Sequence, residues 1–454
     1  MKKNLPFFLL FLFFPLVSLS QENADFEDAF AAVRNMRVGW NLGNTLDCNS
    51  GDTLNMWIEH WTSRQPADYE KAWGQPVTTR DLIHMFKEAG FGAIRVPVTW
   101  YPHMEAKFSF TGNDSYWYPS KDDIGFSVNA KWMARVKEIV DYVIDEGMYC
   151  ILNVHHDTGA ANTAWINASE ASYEKSHERF ERLWSGIAGT FRNYDEHLLF
   201  ESFNEMLDDY DSWCFASFAT SNKYDGKVAS SAYKAINSYA QSFVNAVRRT
   251  GGNNAHRNLI INTYGACSGS GNWSNHLQDP LKEMQLPDDT AEGQHIIFEV
   301  HSYPNISNLS SAKNEVKDML KGLQTHLISK GAPVIIGEWG TSETDSGNDY
   351  KNNRTNMTAF AKDFVQQAKS YDVATFYWMG LSDAADRTAL RWTQPEIKDA
   401  IITGYYGEDG YDDAIRLALC EEDDDTLYFD LCGRPVVHPT PGIYIHRGRK
   451  VRVK

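Results

Sequence analysis

The stretch KWMARVKEIVDYVIDEGMYCILNVHHD, residues 131–157, holds a helix, its stop, a buried strand and a polar strand end, in that order. Met133, Val136, Val140, Val143 and Ile144 recur at helical spacing and share one face, so 131–146 reads as an amphipathic helix with Gly147 as its stop. Residues 149–154 then form an apolar run without alternation. A strand of that kind is buried on both faces and needs helices to cover it. The run ends in Asn153-Val154-His155-His156-Asp157, where polar side chains collect.

The same unit recurs along the chain. Strand-like runs occur at 37–40, 93–97, 149–154, 198–203, 259–264, 296–301, 334–337 and 374–378. Helical spacing separates them. Leu82, Phe86 and Ala89 share a face over 81–89, with Gly90 after them. Val316, Leu320, Leu323 and Leu327 repeat the pattern, as do Met357, Phe360, Phe364 and Ala368. Eight β/α units over ~370 residues predict an α/β fold, a (β/α)8 barrel with enlarged loops. An open doubly wound sheet is the competing architecture. It usually shows a Gly-rich phosphate turn after the first strand, and Gly39-Trp40-Asn41-Leu42-Gly43 lacks that spacing.

Outside the units, the chain starts with Met-Lys-Lys, an apolar run from Leu5 to Val17, and small residues at Ser18 and Ser20. That pattern reads as a secretory signal, with cleavage expected after Ser20 and a retained membrane anchor as the alternative. The run is shorter than the ~20 residues a membrane-spanning helix needs. Export permits disulfides. Of Cys48, Cys150, Cys214, Cys267, Cys420 and Cys432, the last two are the expected local pair and Cys150 sits in an apolar run as a buried thiol, though a large domain needs no staples and all six free is the equal alternative. Beyond about residue 408 the chain turns acidic at 421–425. It then gives short strand-like pieces at 428–431 and 442–446 and ends in a basic run, 447–454. The expected organisation is a signal at 1–20, a catalytic barrel at 21–408, and an acidic linker with a small β segment at 409–454. With 60 acidic against 43 basic residues the 454-residue chain has a formal charge of −17, which argues against a nucleic-acid partner.

In a barrel of this kind, chemistry sits where strands end and βα loops begin. Arg95, Asn153 to Asp157, Asn204-Glu205, His301-Ser302-Tyr303, Gly337-Glu338-Trp339 and Trp378 all fall there. Each has a plain structural reading: Arg95 as a buried ion-pair partner, a lone Glu as a helix cap, His155-His156-Asp157 as a metal cluster. The last lacks a second ligand cluster of familiar spacing. The joint pattern is the specific signal. Two Glu at different strand ends, Glu205 and Glu338, suit glycoside hydrolysis, where one carboxyl donates a proton and the other attacks or activates water. The chain also has 14 Trp and 22 Tyr, more aromatics than a core requires. Trp40, Trp100, Trp165, Trp213, Trp273, Trp339 and Trp378 lie at or just beyond strand ends, where indoles can pack on sugar rings. Trp339 and Trp378 flank the expected site.

Six ordered blocks resemble glycoside hydrolase family 5, the clan of retaining (β/α)8 cellulases. They are Gly39-Trp40-Asn41-Leu42-Gly43-Asn44-Thr45-Leu46-Asp47, Gly92-Ala93-Ile94-Arg95-Val96-Pro97, Leu152-Asn153-Val154-His155-His156-Asp157, Phe200-Glu201-Ser202-Phe203-Asn204-Glu205, Val300-His301-Ser302-Tyr303 and Val334-Ile335-Ile336-Gly337-Glu338-Trp339-Gly340. The resemblance implies that Glu205 is the acid/base and Glu338 the nucleophile. Arg95 and Tyr303 would orient Glu338, Asn204 would bond the sugar 2-hydroxyl, His301 would sit beside Glu205, and His155 would line the cleaved subsite. Trp40, Asn41, His156, Trp339 and Trp378 would contact substrate. No metal or organic cofactor is required. Where family members often read Asn-Glu-Pro, this chain has Met206 after Glu205, which leaves the subfamily open.

The implied activity is a secreted, monomeric endo-β-1,4-glucanase acting on a β-1,4-linked polysaccharide. A mannanase or a xyloglucan or mixed-linkage glucan hydrolase is the alternative within the family, and a non-catalytic polysaccharide-binding surface protein the alternative outside it. The tail, from Tyr428 to Arg434 and from Gly442 to Val451, resembles the sorting segments of type IX secretion, with Cys432 where those usually carry Gln. It implies contact with that secretion machinery, and a small strand add-on packing on the barrel is the alternative.

Overall fold

The computed structural model describes residues 26–50, 57–58, 62–104, 125–159, 164–212, 224–270, 276–341, 347–378, 384–408, 428–429, 435–436, 442–446 and 449–453. The 131–157 stretch folds as its pattern demands. Helix α4 (Ala130–Asp145) starts at Asn129, whose side chain accepts from the Lys131 and Trp132 amides, and Gly147 takes a left-handed φ of 64° after its end. Val136, Val140 and Val143 are buried as expected, joined by Trp132 and Ile139, while Met133 and Ile144 flank the stripe half-buried. Each fully buried aliphatic side chain contributes about 1.5–3 kcal/mol.

Eight parallel strands close into a barrel in chain order. They are β1 (Val38–Asn41), β2 (Ala93–Val96), β3 (Tyr149–Asn153), β4 (Leu198–Glu201), β5 (Leu259–Cys267), β6 (Ile296–Ser302), β7 (Val334–Trp339) and β8 (Ala374–Tyr377). All eight expected runs are strands. Pairing of Val38 with Thr375 and Gly39 with Phe376 joins the last strand to the first, which excludes the open sheet.

The covering helices are α3 (Arg80–Glu88), α4, α5 (Glu170–Thr190), α6 (Gly226–Arg248), α8 (Leu309–His326), α9 (Gly347–Lys369) and α10 (Pro395–Tyr406). The short helices α2 (Pro66–Glu70) and α7 (Asp279–Glu283) also occur, and α7 is the only helix described between β5 and β6. Among the described residues no helix is long and apolar enough to cross a membrane. Helix α1 (Ala29–Met36) precedes β1 and has no counterpart in the sequence reading. It packs Ala29, Val33 and Met36 against Ala93, Ile151, Leu199, Ile260, Ile297, Ile335 and Phe376, an apolar layer filling the barrel.

A hairpin follows β8, formed by β9 (Ala385–Asp386) and β10 (Arg391–Trp392). The C-terminal segment forms a four-stranded antiparallel sheet of β11 (Tyr428–Phe429), β12 (Pro435–Val436), β13 (Gly442–His446) and β14 (Arg449–Val453). The basic run, given no structure from sequence, supplies β14, and Tyr444 pairs with Val451. Cys48, Cys150 and Cys267 are buried free thiols. The expected signal at 1–20, the acidic stretch, Cys214 and the expected Cys420–Cys432 pair lie outside the described residues.

Candidate active site

Strand alternation carries the site. Residues two apart share a face, so the strands that send Ala93, Ile151, Leu199, Ile260 and Ile297 into the apolar layer also send Arg95, Asn153, Glu201, Asn262 and Glu299 into the layer above. Arg95 sits at the centre of this polar layer with no exposed surface. Its Nε and Nη2 grip the two oxygens of Glu201 at 2.6 and 2.8 Å. Nη2 also reaches Asn204 Oδ1 at 2.9 Å, and Nη1 donates to Asn41 Oδ1 at 3.0 Å and Glu338 Oε1 at 2.8 Å. All five guanidinium N–H groups are thereby used, a planar fork no other side chain supplies.

Glu338 reaches this layer through a bulge. Val300 pairs with Ile336, yet the next pair is His301 with Glu338, so Gly337 is an extra residue on β7. The inserted residue turns Glu338 toward the mouth, a use of bulges common beside active sites. There Oε2 accepts from the Tyr303 hydroxyl at 2.8 Å, while the Tyr303 ring is half exposed. Burial acts to raise the Glu338 carboxyl, but the charges of His301 and Arg95 and the bonds from Tyr303 and Arg95 outweigh it and hold it below the ordinary range.

Glu205 follows β4 and is more open, with its side chain 24% exposed against 8% for Glu338. Its Oε1 lies 2.9 Å from His301 Nδ1. One oxygen of Glu205, one of Glu338 and a His301 ring nitrogen all lie within 4.8 Å of one another. Burial works against a charged His301, but Glu338, Glu205 and Glu299 together push its value up to about 10. Carboxyl groups about 5–5.5 Å apart permit double displacement, whereas ~6.5–9.5 Å leaves room for an inverting water. An oxygen of each within 4.8 Å accords with the first class.

Asn153 fixes the state of His155. Its Oδ1 accepts from the Val98 amide, so its Nδ2 faces Glu201 and His155 Nδ1, each at 3.0 Å. His155 Nδ1 is therefore an acceptor, and Nε2 carries the proton. Burial holds this ring neutral, well below the usual histidine value. Trp378 stacks parallel to it with centroids 5.8 Å apart, over Gly43, where a β-carbon would meet the indole at 2.3 Å.

Asp157 belongs to the loop rather than to a metal. Its oxygens accept from the Trp100 and Tyr101 amides and Trp165 Nε1. Asp47 is the carboxylate near His155 and His156, and its oxygens accept from the Asn44 and Thr45 amides at 3.0 and 2.7 Å.

Arg95, His155, Asn204, Glu205, His301, Tyr303, Glu338 and Trp378 are thus brought to one mouth. Asn41 is there too, but as a holder of Arg95, with its Nδ2 on the Gly337 carbonyl at 2.9 Å. His156 stands edge-on to His155, half-buried beside Trp73. Two expected substrate platforms are corrected. Trp40 is 1% exposed among Phe86, Phe91, Tyr377 and Trp392, and Trp339 is fully buried in a parallel stack on Phe364. Both indoles point outward from the barrel wall into the helix layer. Trp100 and Trp165 are buried as well, and Trp213 and Trp273 lie outside the described residues.

Sequence reasoning missed the roles of Glu201, Glu299, Asn153, Asp47 and Asp157. A charge inside an otherwise apolar run was the available signal for Glu201 and Glu299. Glu299 also stands two residues before His301 and so shares its face.

The sequence profile for cellulase (glycosyl hydrolase family 5) matches residues 56–383. Endoglucanase A of Clostridium longisporum is 30% identical over 412 residues, covering 85% of this chain and 68% of that protein. Among solved structures, a GH5-4 broad specificity endoglucanase from an uncultured bacterium is 51% identical with a TM-score of 0.74, covering 84% of this chain and 96% of that one. A family 5 enzyme of Prevotella bryantii, solved with a xyloglucan tetradecasaccharide, is 38% identical with a TM-score of 0.69, covering 84% and 99%. With the profile spanning most of the chain and the barrel closed around a paired-carboxylate mouth, the chain belongs to glycoside hydrolase family 5.

Proposed function

We infer that the protein is a retaining endo-β-1,4-glucanase in which Glu338 is the nucleophile and Glu205 the acid/base. The approach of their carboxylates to within 4.8 Å, with His301 between them, carries this reading. Glu338, held ionised by Arg95 and Tyr303, attacks the anomeric carbon. The bond to the leaving oxygen breaks, and Glu205 gives that oxygen its proton. The glycosyl ester no longer bears the Glu338 charge, and Glu205, left as a carboxylate by its transfer to the leaving oxygen, serves as base. It takes a proton from water, whose oxygen displaces Glu338. Asn204, with its oxygen taken by Arg95, turns its amide N–H groups to the sugar 2-hydroxyl. Trp378 and His155 form the floor beside it.

Broad action that includes xyloglucan is a second reading, supported by 38% identity to the Prevotella bryantii enzyme solved with that glycan. Reducing-sugar release from carboxymethylcellulose, xyloglucan and glucomannan in parallel distinguishes the readings. Glu338→Ala should abolish release from every substrate. Equal release by variant and wild type would remove Glu338 as the nucleophile, and no release by wild type from any substrate would leave the binding-protein alternative. Proton NMR of early product should show the β-anomer first.

Export through the 1–20 signal, and surface delivery through the C-terminal segment, are part of the same proposal. They rest on sequence pattern. The mature protein from a native host should start after Ser20 by mass spectrometry.

A further inference from the structure

Glu299 is fully buried and neither of its carboxyl oxygens makes a hydrogen bond. Its Oε1 lies 3.4 Å from His301 Nε2 and 3.4 Å from Arg95 Nε. Space for it exists only because residue 337 has no side chain. The His301 ring therefore stands between two carboxyls, Glu205 at the mouth on Nδ1 and Glu299 in the interior on Nε2. Resting on the functional reading above, we propose that Glu299 is a positioning residue that acts on Glu205 through His301.

The charges around it give the reason. Arg95 spends its fork on Glu201 and one further N–H on Glu338, which leaves Glu299 the poorest partnered of the three acids facing that cation. Asn262, its strand neighbour on β5, adds no charge. Burial first, then the Glu201 charge, raise the Glu299 carboxyl to about 8 against the opposing pull of Arg95 and His301. A neutral carboxyl still offers an oxygen to the His301 Nε2–H. Its ionisation at higher pH places a negative charge behind the ring and helps the His301–Glu205 pair keep its proton.

Two variants test this, each assayed for kcat and KM on a soluble β-glucan across pH, with thermal melting alongside. Glu299→Gln keeps the shape and an acceptor oxygen but cannot ionise. It should match wild type within about twofold on the acid side, with its alkaline limb moved down by about half a unit. Glu299→Leu keeps the bulk without an acceptor, and should lose about tenfold in kcat with KM unchanged. Wild-type kcat and limbs in Glu299→Leu would overturn the proposal, as would equal losses in both variants with unmoved limbs. If Glu299→Leu fails to fold, an unmoved alkaline limb in Glu299→Gln overturns it alone. A wild type inactive on every β-glucan sinks the functional reading and this proposal with it. An active wild type with unaltered variants sinks only this one.

Discussion

A β-carbon on Gly337 would lie 1.5 Å from Oε1 of Glu299, so a glutamate at 299 requires a glycine at 337. The two lie on neighbouring strands, and the same glycine is the bulge that aims Glu338. Gly337→Ala should cost at least about 2 kcal/mol of stability from overpacking. The double variant with Glu299→Ser should recover a large part of it, a coupling of about 1–3 kcal/mol in a double-mutant cycle read by urea unfolding. Additive losses would refute the pairing.

Arg95→Lys keeps the charge and loses the fork. A single ammonium cannot serve Glu201, Asn41, Asn204 and Glu338 together. Breaking one partner of such a buried cluster costs about 3–5 kcal/mol, and calorimetry should register a correspondingly lower melting temperature. Activity should fall by at least about 100-fold, since Glu338 and Asn204 both lose their orienting bond.

Tyr303→Phe removes a hydrogen bond to the charged form of Glu338. The Glu338 value should then rise, so the acid limb of the kcat/KM profile moves to higher pH while the alkaline limb stays. An unmoved acid limb would show that another group controls it.

Stability should fall on the alkaline side. Glu299 is raised to about 8, mainly by burial, from an ordinary 4.5, so the native state holds its proton more tightly than the unfolded chain. That stabilisation is complete below the unfolded value and lost as pH rises to about 8. Asp47 and Asp157, raised by burial to about 6, and His301, at about 10 because neighbouring carboxylates outweigh burial, act in the same direction. Glu338 has the opposite sign, and its contribution is lost as pH falls through its lowered value. The urea midpoint should be higher near pH 5.5 than near pH 8.5, each proton contributing up to about 1.4 kcal/mol per pH unit. Glu299→Gln should flatten that slope.

Trp378→Ala and Trp339→Ala should differ in kind. The first removes a cleft floor and should raise KM on β-glucan with a small change in melting temperature. The second empties a core stack and should cost about 3–5 kcal/mol. Reversal of these effects would restore Trp339 as a substrate platform.

The strands were legible because a short run apolar on both faces fits a sheet covered by helices, and the order of polar strand ends told which end carried the mouth. Glu205, Glu338, Arg95, His301 and Tyr303 met as that order implied. The indoles were less legible. A strand end fixes position along the barrel axis but not side, and Trp339 follows a bulge whose inserted residue sets which way each neighbour faces. Trp40 shares its strand with inward-facing Asn41 and so points outward. Glu299 stayed hidden for another reason, since its meaning depends on a missing side chain across the sheet at Gly337.

The apolar layer closed by α1 makes the barrel one-ended for protons. Ile151, Leu199, Ile297 and Phe376 lie beneath Arg95 and Glu299, so an exchangeable hydrogen in that polar layer faces packed apolar side chains on the α1 side.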